Sequence, residues 1–270
     1  MNRATTCSDA INASRRRFLQ SAGTATIATA AATTTRMAAG SVKPQRPKVA
    51  AVFTTMFYRS HAHVILENFL VPYLFNGRRV DPPVDVIAFY ADQFSDRDIA
   101  RAVAKQFKIP IYETIEQALC QDGDKLAVDA VLSIGEHGDY PHNEIGQQMY
   151  PQKWFFDAEV AVMKKAGRFV PIFNDKHLSW KFAWAKEMVD TANKHGLPLM
   201  SGSSVPLAVR RPNLELPPDF HITEAVSIHG GPVERYDFHG LEVLAAFVEA
   251  RQGGETGVAE VEFLSGEAIW

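Results

Sequence analysis

The chain has 270 residues, a length that fits one or two domains of ordinary size. Apolar residues make up 46% and charged residues 22%, which permits a packed core and excludes global disorder. Lys and Arg number 28 against 31 Asp and Glu, a net charge of −3, so no basic groove for nucleic acid is indicated. The only cysteines, Cys7 and Cys120, exclude a disulfide scaffold and a cysteine-rich zinc site.

Residues 1–40 read as an export signal. Ser14, Arg15, Arg16, Arg17, Phe18 and Leu19 fit a twin-arginine core, Ser-Arg-Arg-x-Phe-Leu. A weakly apolar run rich in Ala, Thr and Gly follows over 21–32, too short for the roughly 20 residues of a membrane span. Small residues at Ala28, Ala30, Ala32 and Ala38 offer cleavage sites. The expected location is the periplasm, or another exported compartment, with the Tat machinery as a partner. The alternative is a basic amphipathic helix. Without residues 1–40 the chain keeps 23 basic and 30 acidic residues, a net −7. That charge argues against nucleic-acid and membrane-surface partners, and no other segment is apolar enough to span a bilayer. Residues 41–47, with Pro44 and Pro47, read as a linker.

The body alternates strand and helix. Residues 48–54 form a short apolar run suited to a buried parallel strand. Helical spacing places Val64, Ile65, Phe69 and Leu70 on one side of a helix over 61–75. Further strands are expected at 84–90, 109–112, 127–134, 169–173 and 197–200. Further helices are expected at 95–107 capped by Ser95, 114–119 capped by Thr114, 155–166, and from Ser179 to a stop at His195-Gly196. Trp180, Trp184, Met188 and Ala192 recur every fourth residue in the last helix, a core-packing stripe. Strands alternating with helices predict an α/β fold, a Rossmann-like doubly wound parallel sheet over 48–203. From 204 the character changes. Alternating strands at 220–229 and 258–264 with a helix at 241–250 predict a partial α+β segment over 204–270. About 65 residues is thin for an independent domain. The expectation is a fold that continues beyond Trp270, or one completed by another chain in a homo-oligomer.

Polar residues collect after four strands. They are Arg59, Ser60, His61 and His63; Asp92 and Gln93; the run from Gly135 to Glu144 that holds Glu136, His137, Asp139 and His142; and Asn174, Asp175, Lys176 and His177. In a parallel sheet, the turns after the strands line one crevice. Simpler roles compete: His61 and His63 can be ordinary first residues of a helix, and Asp92 can be a helix cap. Packing does not account for Glu, His, Asp and His beside Gly135 and Gly138.

Several stretches resemble the Gfo/Idh/MocA family of oxidoreductases (glucose–fructose oxidoreductase, inositol dehydrogenase and rhizopine-catabolism types). They are Ala104-Lys105-Gln106-Phe107-Lys108-Ile109-Pro110, Tyr112-Glu113-Thr114-Ile115-Glu116-Gln117-Ala118-Leu119, Val128-Asp129-Ala130-Val131-Leu132, Asn174-Asp175-Lys176-His177 and Gly196-Leu197-Pro198-Leu199-Met200-Ser201-Gly202. The similarity runs over about 48–203, with a weaker echo to Trp270. It implies a Rossmann domain, NAD or NADP as cofactor, and a sugar or polyol substrate. Lys176 matches the lysine that touches substrate and helps move a hydroxyl proton. Asp175 and His177 flank it, and His239 matches the histidine of the catalytic helix. Asp92 matches the acid near the adenosine ribose. Arg59, Ser60, Glu136 and His137 complete the expected cofactor site. The family's first turn is Gly-x-Gly-x-x-Gly/Ala. Here residues 54–62 contain no glycine, and Met56, Phe57 and Tyr58 crowd the approach of a pyrophosphate.

Two alternatives stay open. The same fold could hold a divalent metal such as zinc, manganese or iron. His61, His63 and His142 would be ligands, and Glu136, His137, Asp139, Asp175 and His177 further donors. Or the crevice could bind carbohydrate without catalysis.

Overall fold

A computed structural model describes residues 45–213, 216–217 and 220–269. The export signal, most of the linker and Trp270 lie outside the described residues. The described chain forms two bodies, residues 45–207 with 230–239, and residues 208–229 with 240–269.

The first body is built on β1 (Lys48–Phe53), α1 (His61–Leu70), β2 (Tyr73–Phe75), β3 (Arg78–Val80), β4 (Asp85–Ala91), α2 (Ala100–Phe107), β5 (Ile111–Tyr112), α3 (Ile115–Cys120), β6 (Ala130–Ile134), α4 (Gln152–Ala166), β7 (Ile172–Asp175), α5 (Phe182–His195) and β8 (Leu199–Gly202). Six strands form one sheet in the order β5-β4-β1-β6-β7-β8, and every pairing is parallel. The chain moves outward from β1 to β4 and β5, then returns to β6 on the other side of β1. This is the doubly wound, Rossmann-like order, and its switch point lies between β1 and β6.

The β1 sequence explains its central place. Ala50 and Val52 face an apolar layer with Phe155 and Met163 of α4 and Met188 of α5. Val49, Ala51 and Phe53 face the opposite layer, with Leu66 of α1 and Ala100 and Ala104 of α2. A strand covered on both faces reads as a continuous apolar run. Phe53 meets Phe89 edge to face, with ring centroids 5.4 Å apart. Thr114 and Gln117 form a reciprocal capping box at α3.

Several boundaries differ from expectation. The helix predicted over 61–75 stops at Leu70, and β2 and β3 form a hairpin turned by Asn76 and Gly77, at φ 49° and 74°. Positive φ at both turn residues is what an Asn-Gly pair supplies. The helix predicted from Ser95 begins at Ala100. Ser95 and Asp98 close the preceding turn instead, with Asp98 N donating to Ser95 O over 2.9 Å. The helix predicted from Ser179 begins at Phe182, because the Ser179 hydroxyl accepts from Lys181 N in a local turn. Trp180 therefore precedes α5 and packs edge to face on Trp184. The helix placed at 241–250 is α6 (Val233–Val248), which starts eight residues earlier, directly after Pro232.

The α+β expectation for 204–270 is not met among the described residues. No strand follows β8, and residues 220–229 and 258–264 join no sheet. Alternation makes a strand only where a neighbour offers its hydrogen bonds. Here Ile228 is 92% exposed and Val261 83%. The second body is held by Ser227 Oγ donating to Gly240 O (3.1 Å) and by the Arg210 guanidinium 4.5 Å from the Phe247 ring centroid. No helix among the described residues is long and apolar enough to cross a membrane.

Candidate active site at the strand ends

Because the strands are parallel, the turns after β1, β4, β6 and β7 leave the same end of the sheet. Glu136, two residues after β6, is the hub. It is 4% exposed. Its Oε2 accepts from Lys176 Nζ (3.2 Å), and its Oε1 accepts from Gln152 Nε2 (3.3 Å). Its backbone oxygen accepts from Thr54 Oγ1 (2.5 Å). His177 Nε2 lies 3.9 Å from Oε1. One residue thus ties the ends of β1, β6 and β7 to the start of α4.

Lys176 follows β7 directly and is 8% exposed. Its φ is 61°, in the left-handed region, and its carbonyl accepts from Gly202 N at 2.9 Å. Asn174 braces the turn by donating to the carbonyls of Asp175 and His177. Arg59 and His137 also have positive φ, 66° and 69°. A left-handed non-glycine residue costs about 1–2 kcal/mol. Three of them at one crevice mark a turn geometry imposed by the surrounding contacts.

His61 opens α1, and its Nδ1 lies 2.5 Å from Asp175 Oδ2. Burial acts to lower its pKa, but the hydrogen bond and charge of Asp175, with Glu136 behind it, raise it above the ordinary value. The His137 ring is 5.0 Å from His61 and 5.2 Å from Phe57. Burial first, then charge on His61, brings His137 down to about 4. Burial first, then Lys176, brings His177 to about 4. His239 is also lowered, by burial and by Lys176. Its Nδ1 meets Ser203 Oγ at 2.6 Å. Glu136 is raised by its burial, against the pull of Lys176 and His61. The crevice therefore sets one imidazole that holds its proton more tightly than usual beside three that hold it less tightly.

Lys176, Asp175, His177, Glu136, His137, His61 and His239 thus occupy one neighbourhood of the first body. His63 and His142 do not join it. His63 Nδ1 accepts from Arg59 N and its ring lies by Tyr58, while His142 pairs with Gln148 in a short antiparallel bridge. No group of three or more His, Cys, Asp or Glu is placed to hold a metal ion among the described residues. The metal centre of His61, His63 and His142 is therefore not formed. Each is engaged elsewhere: the His61 ring by Asp175, the His63 ring by the Arg59 amide, and the His142 backbone by Gln148.

The nucleotide end is arranged differently from a dinucleotide site. Ser60 caps α1, and its Oγ accepts from Phe57 N (3.1 Å) and His63 N (3.3 Å). Ser60 N donates to Phe57 O and Arg59 N to His63 Nδ1. The amides of Phe57, Arg59, Ser60 and His63, in the turn that a glycine-rich loop would direct at a pyrophosphate, are thus satisfied internally. Asp92 accepts from Tyr90 OH (2.8 Å) and Tyr140 OH (2.6 Å), one on each carboxylate oxygen. Ser60, Asp92, Glu136 and His137 are thus engaged within the protein, and Arg59 alone of the expected cofactor residues is exposed. The residues present do not fit a dinucleotide in this arrangement. Tyr140 and Gln152 escaped the sequence reading. Tyr140 lies in a loop already marked by its charges, whereas nothing in the sequence marks Gln152 as a buried partner.

No family model matches the chain, and no curated protein matches it. Among solved structures it is similar to a Gfo/Idh/MocA family oxidoreductase from Vibrio cholerae, with 17% identity and a TM-score of 0.37 over 59% of this chain and 39% of that one. It is similar to an oxidoreductase from Agrobacterium radiobacter in complex with NAD+, L-tartaric acid and magnesium, at 19% identity and TM-score 0.38 over 60% and 38%. It is also similar to UDP-N-acetylglucosamine 3-dehydrogenase GnnA from Acidithiobacillus ferrooxidans, at 11% identity and TM-score 0.37 over 62% and 41%. The chain spans about two fifths of the length of these solved structures.

The raised His61 value makes a direct test. Proton titration followed by imidazole NMR places His61 above the ordinary midpoint of about 6.5, with His137 and His177 near 4. Asp175→Asn takes away the main charge that opposes burial and leaves only Glu136 raising the value, so the His61 midpoint drops. A midpoint unchanged by the substitution contradicts the His61–Asp175 pairing. The folded chain binds this proton more tightly than the unfolded one, so the pair stabilises the fold below pH about 6.5. That contribution is lost as pH rises through the raised value.

Proposed function

We propose that this chain acts on a hydroxyl of a sugar or polyol, at the substrate end of a Gfo/Idh/MocA-like oxidoreductase crevice. The observation that carries this is Lys176, buried at the end of β7 with its ammonium 3.2 Å from Glu136 and neighboured by the His61–Asp175 pair. A hydroxyl is both donor and acceptor, so a polyol suits a rim that offers both roles. His61, whose pKa the Asp175 pairing raises, and the Lys176 side chain donate. Neutral His137 and His177 accept. His177 Nδ1 is buried and has no hydrogen-bond partner. Glu136, raised by burial and pulled back by Lys176, is placed to exchange a proton with the lysine as a substrate hydroxyl ionises.

Oxidation with NAD or NADP is what the family resemblance implies for the step that follows. The strand order and the place of Asp92 at the end of β4 support it. The closed turn after β1 and the engaged Asp92 oppose it, so no hydride step is derived for this chain.

Isothermal titration with glucose, fructose and myo-inositol tests the substrate class. Heat is expected with at least one, and Lys176→Met should lower any turnover of that compound by about 10²-fold or more while binding persists. Absence of heat with all three contradicts the substrate class. Turnover untouched by Lys176→Met contradicts the role of Lys176, and heat without turnover leaves a carbohydrate-binding protein.

Export through the Tat pathway, to the periplasm, is part of the same proposal. It is supported by Ser14 to Leu19. Arg15→Lys with Arg16→Lys should keep the precursor inside a Tat-competent bacterial host. Equal export of both forms refutes it.

A further inference from the structure

We infer that the nucleotide subsites of this Rossmann-like crevice are filled by the chain's own residues, so that the protein works without a bound dinucleotide. The inference does not depend on the identity of the substrate.

In a doubly wound dinucleotide site, the acid after the strand beside β1 receives a ribose hydroxyl, and the turn after β1 offers backbone N–H groups to the pyrophosphate. Both places are taken here. The phenolic hydroxyl of Tyr140 sits on Asp92 Oδ2, where a ribose hydroxyl would donate, and Tyr90 takes the other oxygen. Gln93, next in the chain, fastens the same loop twice. Its Nε2 donates to Asp139 O (3.1 Å) and its Oε1 accepts from Asp139 N (2.8 Å). A Cβ at Gly138 would stand 2.6 Å from the Tyr140 ring and 3.0 Å from Gln93 Oε1, so glycine permits this close approach.

The loop is braced rather than loose. Asn143 N donates to Gln147 O, and Met149 N to Pro141 O. The Gln148 amide reaches the carbonyls of Gly138 and Tyr140. Tyr140 also meets Tyr150 edge to face at 5.8 Å. At the phosphate end, Phe57, Arg59, Ser60 and His63 all spend their N–H groups within the turn. Admitting a pyrophosphate would mean breaking several internal hydrogen bonds, each worth about 0.5–1.5 kcal/mol net. The two closures lie on different strands and arise from different residues, so a single side-chain rotation does not open the site.

The test uses the full chain, titrated with NADH and NADPH by nicotinamide fluorescence and with AMP by calorimetry, each up to about 1 mM, the weak end of specific binding. No saturation is expected with any of the three. Saturation by any of them within that range overturns the inference. Tyr140→Ala clears the ribose position but leaves the turn after β1 closed, so it too should fail to saturate. Saturation in the variant alone shows a shutter over an intact cradle and also overturns the inference. Heat from glucose, fructose or myo-inositol on the same wild-type sample reports the substrate class separately.

Discussion

The ion pair of Glu136 and Lys176 is the constraint on which the crevice depends. Both side chains are at least nine-tenths buried. Charges taken out of water are costly, and an ion pair offsets that cost only when its remaining polar atoms are satisfied. Gln152 and Thr54 provide partners for the Glu136 side chain and backbone, and Gly202 N for the Lys176 carbonyl. These bonds reach β1, α4 and β8, so the pair fixes how the strand ends sit against one another. Glu159 on α4 shows what burial does without a cation. It is fully buried, Ser133 is the only group pulling the other way, and its carboxyl is pushed up to about 8. A carboxyl there takes up a proton, whereas Glu136 keeps a partner that opposes protonation.

The same logic sorts the histidines. Burial acts to lower His61, His137, His177 and His239. Of these four, His61 has a carboxylate in hydrogen-bond contact, and it is the one raised. His137 and His177 are buried near cations and fall to about 4. Donor and acceptor character is therefore set by the groups around each residue rather than by residue type or strand end: Lys176 and His177 both follow β7. A ligand with several hydroxyls can satisfy both kinds at once.

Much of the fold was legible because its signals are local. The apolar run of β1, the Thr114–Gln117 box and the His195-Gly196 stop each depend on a few neighbouring residues. The convergence of four polar turns followed from parallel strands alone. Other features were misread for physical reasons. Asn76-Gly77 carries a hairpin signal, yet the helical spacing before it masked the turn. Residues 220–229 alternate as a strand does, but a strand also needs a neighbour, which the pattern cannot report. The absence of glycine after β1 pointed to a crowded phosphate turn. That its amides are satisfied by Ser60, Phe57 and His63 could be seen only in three dimensions. Tyr140 on Asp92 is a contact across 48 positions, with no periodicity to announce it.

The second body shows where local pattern ends. α6 forms because Pro232 starts it and its apolar residues recur at helical spacing, whereas the segments on either side find no strand to pair with. The central claim concerns the first body alone: the ends of β6 and β7 are locked into one pocket by a buried charge pair. A double-mutant cycle on Glu136→Gln and Lys176→Met, read by urea unfolding, tests it most directly. Each single change should cost about 3–5 kcal/mol by stranding the other charge, and the double variant should cost well under their sum. Additive losses would mean that the two residues do not meet, and that no shared pocket joins these strand ends.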